Sequence, residues 1–458
     1  MTPQETVERA LALSKADGCV VLATERSEAN LRWASNTLTT NGSMRSREVA
    51  VISVVGGAAA VIQRSAVTAD DLEDLVRASE QAARDAGPNE DAAPLAEPDG
   101  GPDGWSEPPA ETSIGRLATV ASDLGEAFAR AAGHDRLLFG YAEHAVESHY
   151  LGSSTGMRLR HVQPTGRIDI NGKSPDYSRS AWVGQGSPDF ADVDVEALDR
   201  ELSRRLTWAD RSVELPAGRY ETLLPPSAVG DLFLYLYAAS SGARAADEGR
   251  TVFSKQGGGN RIGERLSTLP VTLRSDPRLP GLECAPFLAT TQSEEGTVSV
   301  FDNGLTLGST EWIRDGVLTE LMRTRAYATK TDTQPRPYVD NLLVEVPGST
   351  ASTDEMVART ERGLLLTCVW YVRTVDPQTM LMTGLTRDGV YLVENGEVTG
   401  AVNNFRWNES PVDLLGRISE AGTTERCLAR EFGDYFNRTA MPTLRVPDFN
   451  MSTVSQAS

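Results

Sequence analysis

The sequence is poor in the side chains that hold metals and make nucleophiles. Its 458 residues include four histidines, His134, His144, His149 and His161, and four cysteines, Cys19, Cys284, Cys368 and Cys427. No two cysteines lie close and no C-x-x-C occurs, so local spacing assembles neither a zinc ribbon nor a dithiol redox centre. Four scattered thiols in a chain this long do not make a disulfide framework; reduced cysteines in a cytoplasmic protein are expected. Lysine is almost missing: Lys15, Lys173, Lys255 and Lys330 are the only ones among 44 basic residues. Acidic residues number 64, the net charge is −20 and the pI about 4.8. That excludes a general nucleic-acid binder, which needs clustered Lys and Arg to displace phosphate counterions. A membrane-surface role is disfavoured for the same reason. No uninterrupted apolar run is long enough for a spanning helix. The opening, MTPQETVERALALSKADG, is amphipathic and lacks the basic, apolar and small-residue regions of a signal peptide. No repeat of fixed period is visible.

What is present reads as an α+β chain. A helix capped by Thr2 or Thr6 runs through Ser14 and stops before Gly18. CVVLATE, ANLRWAS, NTLTTNG and VAVISVVGG follow as strands, then a helix near Asp70 to Ala86. Residues 1–86 thus form an N-terminal α+β layer. Residues 87–113 are rich in Pro, Gly, Asp and Glu and cannot bury enough apolar surface to order themselves; they read as a mobile linker or loop. A central α+β layer spans 114–217, with helices at Ile114 to Ala132 and DVEALDRELSRRLTWA around two strands. Residues 218–458 make a larger, mostly antiparallel β domain with a few helices. Its markers are local. Ser227 is the candidate cap of the apolar helix AVGDLFLYLYAASS. Asp315-Gly316 and Asn395-Gly396 mark hairpins. Ser352 with Glu355 has capping-box spacing, and Ser410-Pro411 opens VDLLGRIS.

Each candidate for chemistry falls short on its own. His144-Ala-Val-Glu-Ser-His149 suggests zinc, but the helical pattern H-E-x-x-H needs its histidines one turn apart with Glu beside the first. Here they are five apart on a segment that alternates like a strand, which sends them to opposite faces. His134 and His161 read as isolated surface or core residues. No G-x-S-x-G elbow occurs. Cys368, in GLLLTCVWYV, reads as buried and inert, whereas Cys427, in TERCLARE, sits in a more polar context without a visible base. The loop Gly257-Gly258-Gly259 is not a P-loop, since G-x-x-x-x-G-K-[ST] is absent. Its glycines permit close backbone approach to a ligand or another chain, and Arg261 beside them is able to receive a carboxylate.

The C-terminal half does have a family grammar. The apolar helix leads into TVFSKQGGGNRIGERL, then VTLRSDPRLPGLECAPF and the hairpin WIRDGVLTELMRTRAYA. The helix MVARTERGLLL, the hairpin VYLVENGEVTGAV, PVDLLGRISEAG, a Cys-containing strand and MPTLRVPDF complete it. This order resembles the TldD/PmbA family of two-subunit intracellular zinc peptidases, and the resemblance extends over nearly the whole chain. In the TldD kind of subunit, H-E-x-x-x-H lies on the apolar helix and a later Cys is the third zinc ligand. Here that helix, Leu232 to Ser240, reads LFLYLYAAS, with no His and no Glu. Cys427 falls where the late Cys would be, without imidazole partners. The chain therefore looks like the TldE (PmbA) kind. The resemblance implies no catalytic residue and no metal ligand set in this chain. It also implies zinc in a TldD-like partner subunit, a heterodimer enclosing a chamber, and extended or unfolded peptides as substrates. Gly257, Gly258, Gly259 and Arg261 are the expected contacts for peptide or partner, because they follow the helix that holds metal in the sister subunit. Two rival readings remain: a homodimer that binds peptides or a client without peptidase activity, and an independent hydrolase using Cys427.

Overall fold

The computed structural model describes residues 1–99 and 104–455. Helix α1 (Pro3–Leu13) starts with a complete capping box: Thr2 accepts from the Glu5 amide and the Glu5 carboxylate accepts from the Thr2 amide. Three strands follow, β1 (Gly18–Ala34), β2 (Thr37–Val55) and β3 (Ala58–Ser65), then α2 (Asp71–Asp85). The four short strands expected here are two long ones. The polar stretches between the apolar runs stay in the ladder, which continues from Gly18↔Val54 to Ala34↔Thr37.

The chain then forms α3 (Ala118–Gly133), β4 (Leu137–Ser153), β5 (Arg158–Lys173), β6 (Ser180–Gly186) and α4 (Val195–Trp208). The two N-terminal segments that read as separate layers are one antiparallel sheet, ordered β3-β2-β1-β4-β5-β6. The reason is the β1·β4 pairing, Val20↔Ser153 to Trp33↔Gly140, which no local sequence signal announces. One face of this sheet is covered throughout. Helices α1 and α2 pack on Cys19, Val21, Val49, Val51 and Tyr150; α3 and α4 pack on Leu31, Trp33, Leu138 and Ile168.

Residues 87–113 carry no regular element apart from turns among the described ones, yet they are tethered. Positions 100–103 lie outside the described residues. Asp91 accepts from Thr324 Oγ1 at 3.0 Å and is buried. Arg325 donates to Pro94 O at 2.7 Å, and Tyr150 OH donates to Glu107 O at 2.7 Å. The described residues of the segment are thus held both to the N-terminal sheet and to the C-terminal domain.

The rest is built on a second sheet. Its strands are β7 (Ser212–Val213), β8 (Gly218–Leu224), β9 (Thr272–Ser275), β10 (Thr310–Arg314), β11 (Val317–Leu318) and β12 (Leu342–Glu345). Then come β13 (Arg362–Leu366), β14 (Trp370–Asp376), β15 (Leu381–Leu385), β16 (Val390–Glu394), β17 (Glu397–Val402) and β18 (Phe405–Glu409). The last are β19 (Glu420–Cys427), β20 (Thr439–Met451) and β21 (Thr453–Val454). The large sheet runs β11-β10-β9-β12-β20-β8-β13-β16-β17-β7, with β19 on β20; β14-β15-β18-β21 form a smaller one. Pairing is mostly antiparallel. Both hairpin dipeptides turn as the sequence requires: Asp315 and Gly316 have φ of 49° and 78°, and Asn395 and Gly396 have 52° and 83°. Two successive positive φ values define the turn that matches strand twist.

Helix α5 (Pro226–Ser240) lies in the core of this domain; Leu232, Phe233, Leu236 and Tyr237 are essentially inaccessible to water. Ser227 is not its cap. Pro225 holds that place, Pro226 presets the first turn, and Ser227 Oγ donates to Leu428 O at 2.8 Å. Short helices α6 (Ala243–Asp247), α7 (Arg325–Lys330), α8 (Thr353–Ala358) and α9 (Pro411–Arg417) complete the domain. Ser352 and Glu355 make the full capping box of α8.

The N-terminal sheet depends on glycine at a crossing point. A Cβ on Gly140 of β4 would stand 2.2 Å from Asp169 O and 2.4 Å from the Trp33 ring. Gly140→Ala is expected to cost about 1–3 kcal/mol of stability by overpacking, read as a lower urea midpoint at unchanged slope.

Candidate functional site

Alternation along β4 and β5 decides which side chains are free of the helices. His144 points to the helix face, buried against Phe190, with its ring nitrogens 2.6 Å from Thr112 Oγ1 and 2.9 Å from Pro188 O. His149, an odd number of residues on, points the other way. So do Glu147 on β4 and His161, Gln163 and Thr165 on β5, where His149 stands directly opposite His161.

This second face meets the C-terminal domain only in part. Leu22, Leu151, Phe287 and Phe301 seal one end. Beside them the two units part to leave a cleft of about 400 Å³, walled by Glu147, His149 and His161 on one side and by Tyr338, Asp340 and Arg438 on the other. A narrower recess of about 70 Å³ leads from His161 past Asn437 to Cys427.

The cleft floor is a closed ionic network. Arg26 donates to Glu147 at 2.5 Å, to Glu143 at 2.7 Å and to Glu28 at 3.1 Å. Tyr141 OH donates to Glu143 at 2.9 Å. His149 lies 3.1 Å from Thr24 Oγ1 and 3.4 Å from Glu147. The His149 hydrogen bond, then Arg26, draw the Glu147 carboxyl down to about 2 in spite of its burial. That contribution to stability is present above the ordinary value of 4.5 and is lost as the pH falls toward 2. His161 is pushed the other way: burial first, with the nearby Arg438 guanidinium adding to it, lowers it and favours the neutral imidazole. Arg438 pairs with Asp340 and donates to Thr165 Oγ1 at 3.1 Å. The groups thus hold one another and stiffen a polar surface.

The neighbourhood of Cys427 decides whether zinc fits. Its sulfur lies against α5, 3.6 Å from where a Cβ on Gly230 would stand, and 3.4 Å from Thr439 Oγ1. Burial pushes the thiol up to about 12. Asp231, the next residue on α5, is fully buried, but its two oxygens accept from the Arg430 and Glu431 amides at 3.1 and 2.9 Å. Burial raises its carboxyl well above the usual range. One protonated thiol and one carboxylate committed to backbone do not fit a zinc ion, which needs three or more protein ligands. Among the described residues no three His, Cys, Asp or Glu side chains form a group able to hold a metal.

The glycine loop lies elsewhere. Gly257, Gly258 and Gly259 have φ of 95°, 110° and 79°, and a Cβ on any of them would meet nothing within 4 Å. They serve a tight turn, closed by Lys255 N–H donating to Gly259 O at 2.9 Å, and not a close approach within this chain. Arg261 is engaged: it donates to Glu264 at 2.8 Å and to Val252 O at 3.0 Å. None of these four residues lines the cleft. Sequence reasoning set Glu147 and His149 aside as zinc ligands, read His161 as isolated, and passed over Asp340 and Arg438. Counting outward from the β4–β5 turn at Ser154 to Gly156 would have paired His149 with His161; Asp340 and Arg438 carry no such signal.

Comparison with known proteins was informative at two levels. The family profile described as the PmbA/TldA metallopeptidase C-terminal domain matches residues 217–453. A search among curated proteins finds no match. Three solved structures are similar over nearly their full length. TldE from Thermococcus kodakarensis has 15% identity and TM-score 0.77, covering 98% of this chain and 99% of that one. A candidate modulator of DNA gyrase from Bacteroides thetaiotaomicron has 15% identity and TM-score 0.78, covering 99% and 98%. Another, from Thermotoga maritima, has 16% identity and TM-score 0.74, covering 98% and 99%. At such identities the likeness is one of fold.

Two measurements check the site as described. All four cysteines are buried, so the native chain is expected to react with Ellman's reagent at far fewer than one thiol, with all four released by denaturant. Asp231→Ala leaves two buried amides without acceptors and is expected to cost about 2–4 kcal/mol, measured by chemical denaturation.

Proposed function

The chain belongs to the PmbA/TldA metallopeptidase family, and on that premise we propose that it is the non-catalytic, TldE-like subunit of a heterodimeric zinc peptidase. Its partner is a TldD-like chain that supplies the zinc and the catalytic groups. Together they enclose a chamber in which extended or unfolded peptides are cut, and this subunit completes the wall. No helix among the described residues is long and apolar enough to cross a membrane. We assign the complex to the cytoplasm.

One observation carries this reading. Helix α5 passes Cys427 with Gly230, and among the described residues no imidazole or free carboxylate accompanies the thiol. A metal-holding subunit of this family would carry its ligands on that helix. The full-length likeness in fold to TldE supports the same side of the pair. Sequence-tolerant peptide binding suits a cleft whose charges are already paired, since an incoming backbone then competes with no strong fixed charge.

The cysteine-hydrolase reading fares worse. A thiol raised to about 12 carries almost no thiolate near neutral pH.

The test is reconstitution. The purified chain alone is expected to bind no stoichiometric zinc by metal analysis and to leave unstructured casein peptides intact. Mixed with a TldD-like chain from the same cell, it is expected to form a 1:1 complex with chelator-sensitive cleavage. Chelator-sensitive hydrolysis by this chain alone would sink the assignment. Cys427→Ala is expected to leave the complex active, at a stability cost of about 1 kcal/mol; complete loss of activity would favour the cysteine hydrolase instead.

A further inference from the structure

Residues 428–438 join β19 to β20 without a regular element and cross from the C-terminal domain to β5. Their first half is firmly held. Arg430 lies 5.4 Å from the centre of the Trp182 ring on β6 and 4.6 Å from that of Trp370 on β14, and it donates to Asp388 at 2.6 Å. Glu431 accepts from the Tyr371 and Val372 amides at 3.1 and 3.2 Å. Asp231 holds the backbone between them. The far end is also fixed, by Arg438 to Asp340 and to Thr165.

The middle has one ionic attachment across the cleft: Asp434 pairs with Arg167 of β5. Tyr435 beside it is 82% exposed, although it lines the cleft mouth. Arg167 has a second carboxylate within reach, Asp169, at 4.0 Å on the same face of the same strand.

We propose that residues 433–435, between the core-packed Phe432 and Phe436, are a gate over the interdomain cleft, latched by Arg167 on Asp434 and loosened when Asp169 draws that guanidinium away. The gate belongs to this chain alone and does not depend on the peptidase reading.

Chemistry gives the latch a pH sense. Burial pushes the Asp169 carboxyl up to about 6, against Arg167 and Arg430 and with help from Asp434. The groups around it are these three and Tyr141, its cross-strand neighbour, whose ring lies 5.2 Å from the Arg167 guanidinium. Arg430 is committed to Asp388 and Tyr141 to Glu143. Below about pH 6 Asp169 is neutral and Asp434 keeps Arg167. Above it, a charged Asp169 competes for Arg167 and repels Asp434.

Hydrogen exchange on the full chain tests this through protection factors, which remove the intrinsic pH dependence of exchange. Protection of residues 433–435 is expected to fall about two- to fivefold between about pH 5 and about pH 7.5, with β19 and β20 unchanged. Asp169→Asn is expected to keep the low-pH protection at both values. Arg167→Gln is expected to lose it at both. Three results would each overturn the gate: a pH effect that survives Asp169→Asn, equal protection in wild type and Arg167→Gln, or loss of protection shared by β19 and β20.

Discussion

A β-strand gives every second side chain to each face, and β4 has to satisfy two different environments at once. Its even positions, Leu138, Ala142, His144 and Tyr150, enter the helix-covered core. Its odd positions, Glu143, Glu147, His149 and Leu151, face the C-terminal domain. Because the side-chain period is two, a register slip of one residue would bury Glu143 and Glu147 under helices and expose Leu138 and Tyr150. The β1·β4 and β4·β5 ladders run without a bulge over this stretch, so the polar row is fixed wherever the core is fixed. Cleft and core are two readings of one strand. Stabilising the core positions the site at no further cost in ordering.

The same economy governs the other wall. The largely apolar α5 packs with few polar groups to desolvate, and each buried Leu or Phe contributes about 2 kcal/mol. Its one charged residue, Asp231, is used to organise the loop after Cys427. Burial disfavours the charged carboxylate, while two amide donors favour it; an isolated buried charge would be far worse. Helix α5 thereby holds the segment between Cys427 and Thr439 that walls the cleft. Placing two histidines on the helix would therefore disturb packing.

Much of this was legible in the sequence, and what was not has a physical cause. The cap at Thr2 or Thr6, of which Thr2 is used, the Ser352–Glu355 box and the Asp-Gly and Asn-Gly hairpins are local, so residue type largely decides them; Ser227 failed as a cap because its hydroxyl is drawn to Leu428 O. The order of helices and hairpins led to the family, which the profile over residues 217–453 bears out. Two things stayed hidden. The union of the two N-terminal layers into one sheet rests on β1 pairing with β4, more than 100 residues later. His161, read as isolated, meets His149 through pairing, and the pair meets Asp340 and Arg438 only through tertiary packing. The Gly257 to Gly259 loop has the positive φ that glycine permits, and no atom of this chain comes within 4 Å of a Cβ at any of the three.

The charge balance sharpens the picture further. A chain of net charge −20 must keep its carboxylates from repelling one another wherever they gather. In the cleft it does so with arginine, whose planar fork serves several carboxylates at once where lysine would offer a point charge. Arg26 holds three, Glu28, Glu143 and Glu147. Arg167 stands between Asp169 and Asp434. These two arrangements differ in consequence. Both Glu147 and Glu143 answer Arg26 from within one rigid sheet, so a proton gained or lost there changes stability without moving anything large. Arg167 links a rigid strand to an irregular loop, so a proton on Asp169 changes which of two bodies it holds. Motion enters where a shared cation bridges elements of unequal stiffness, and in this cleft that junction is the strap between Cys427 and Thr439.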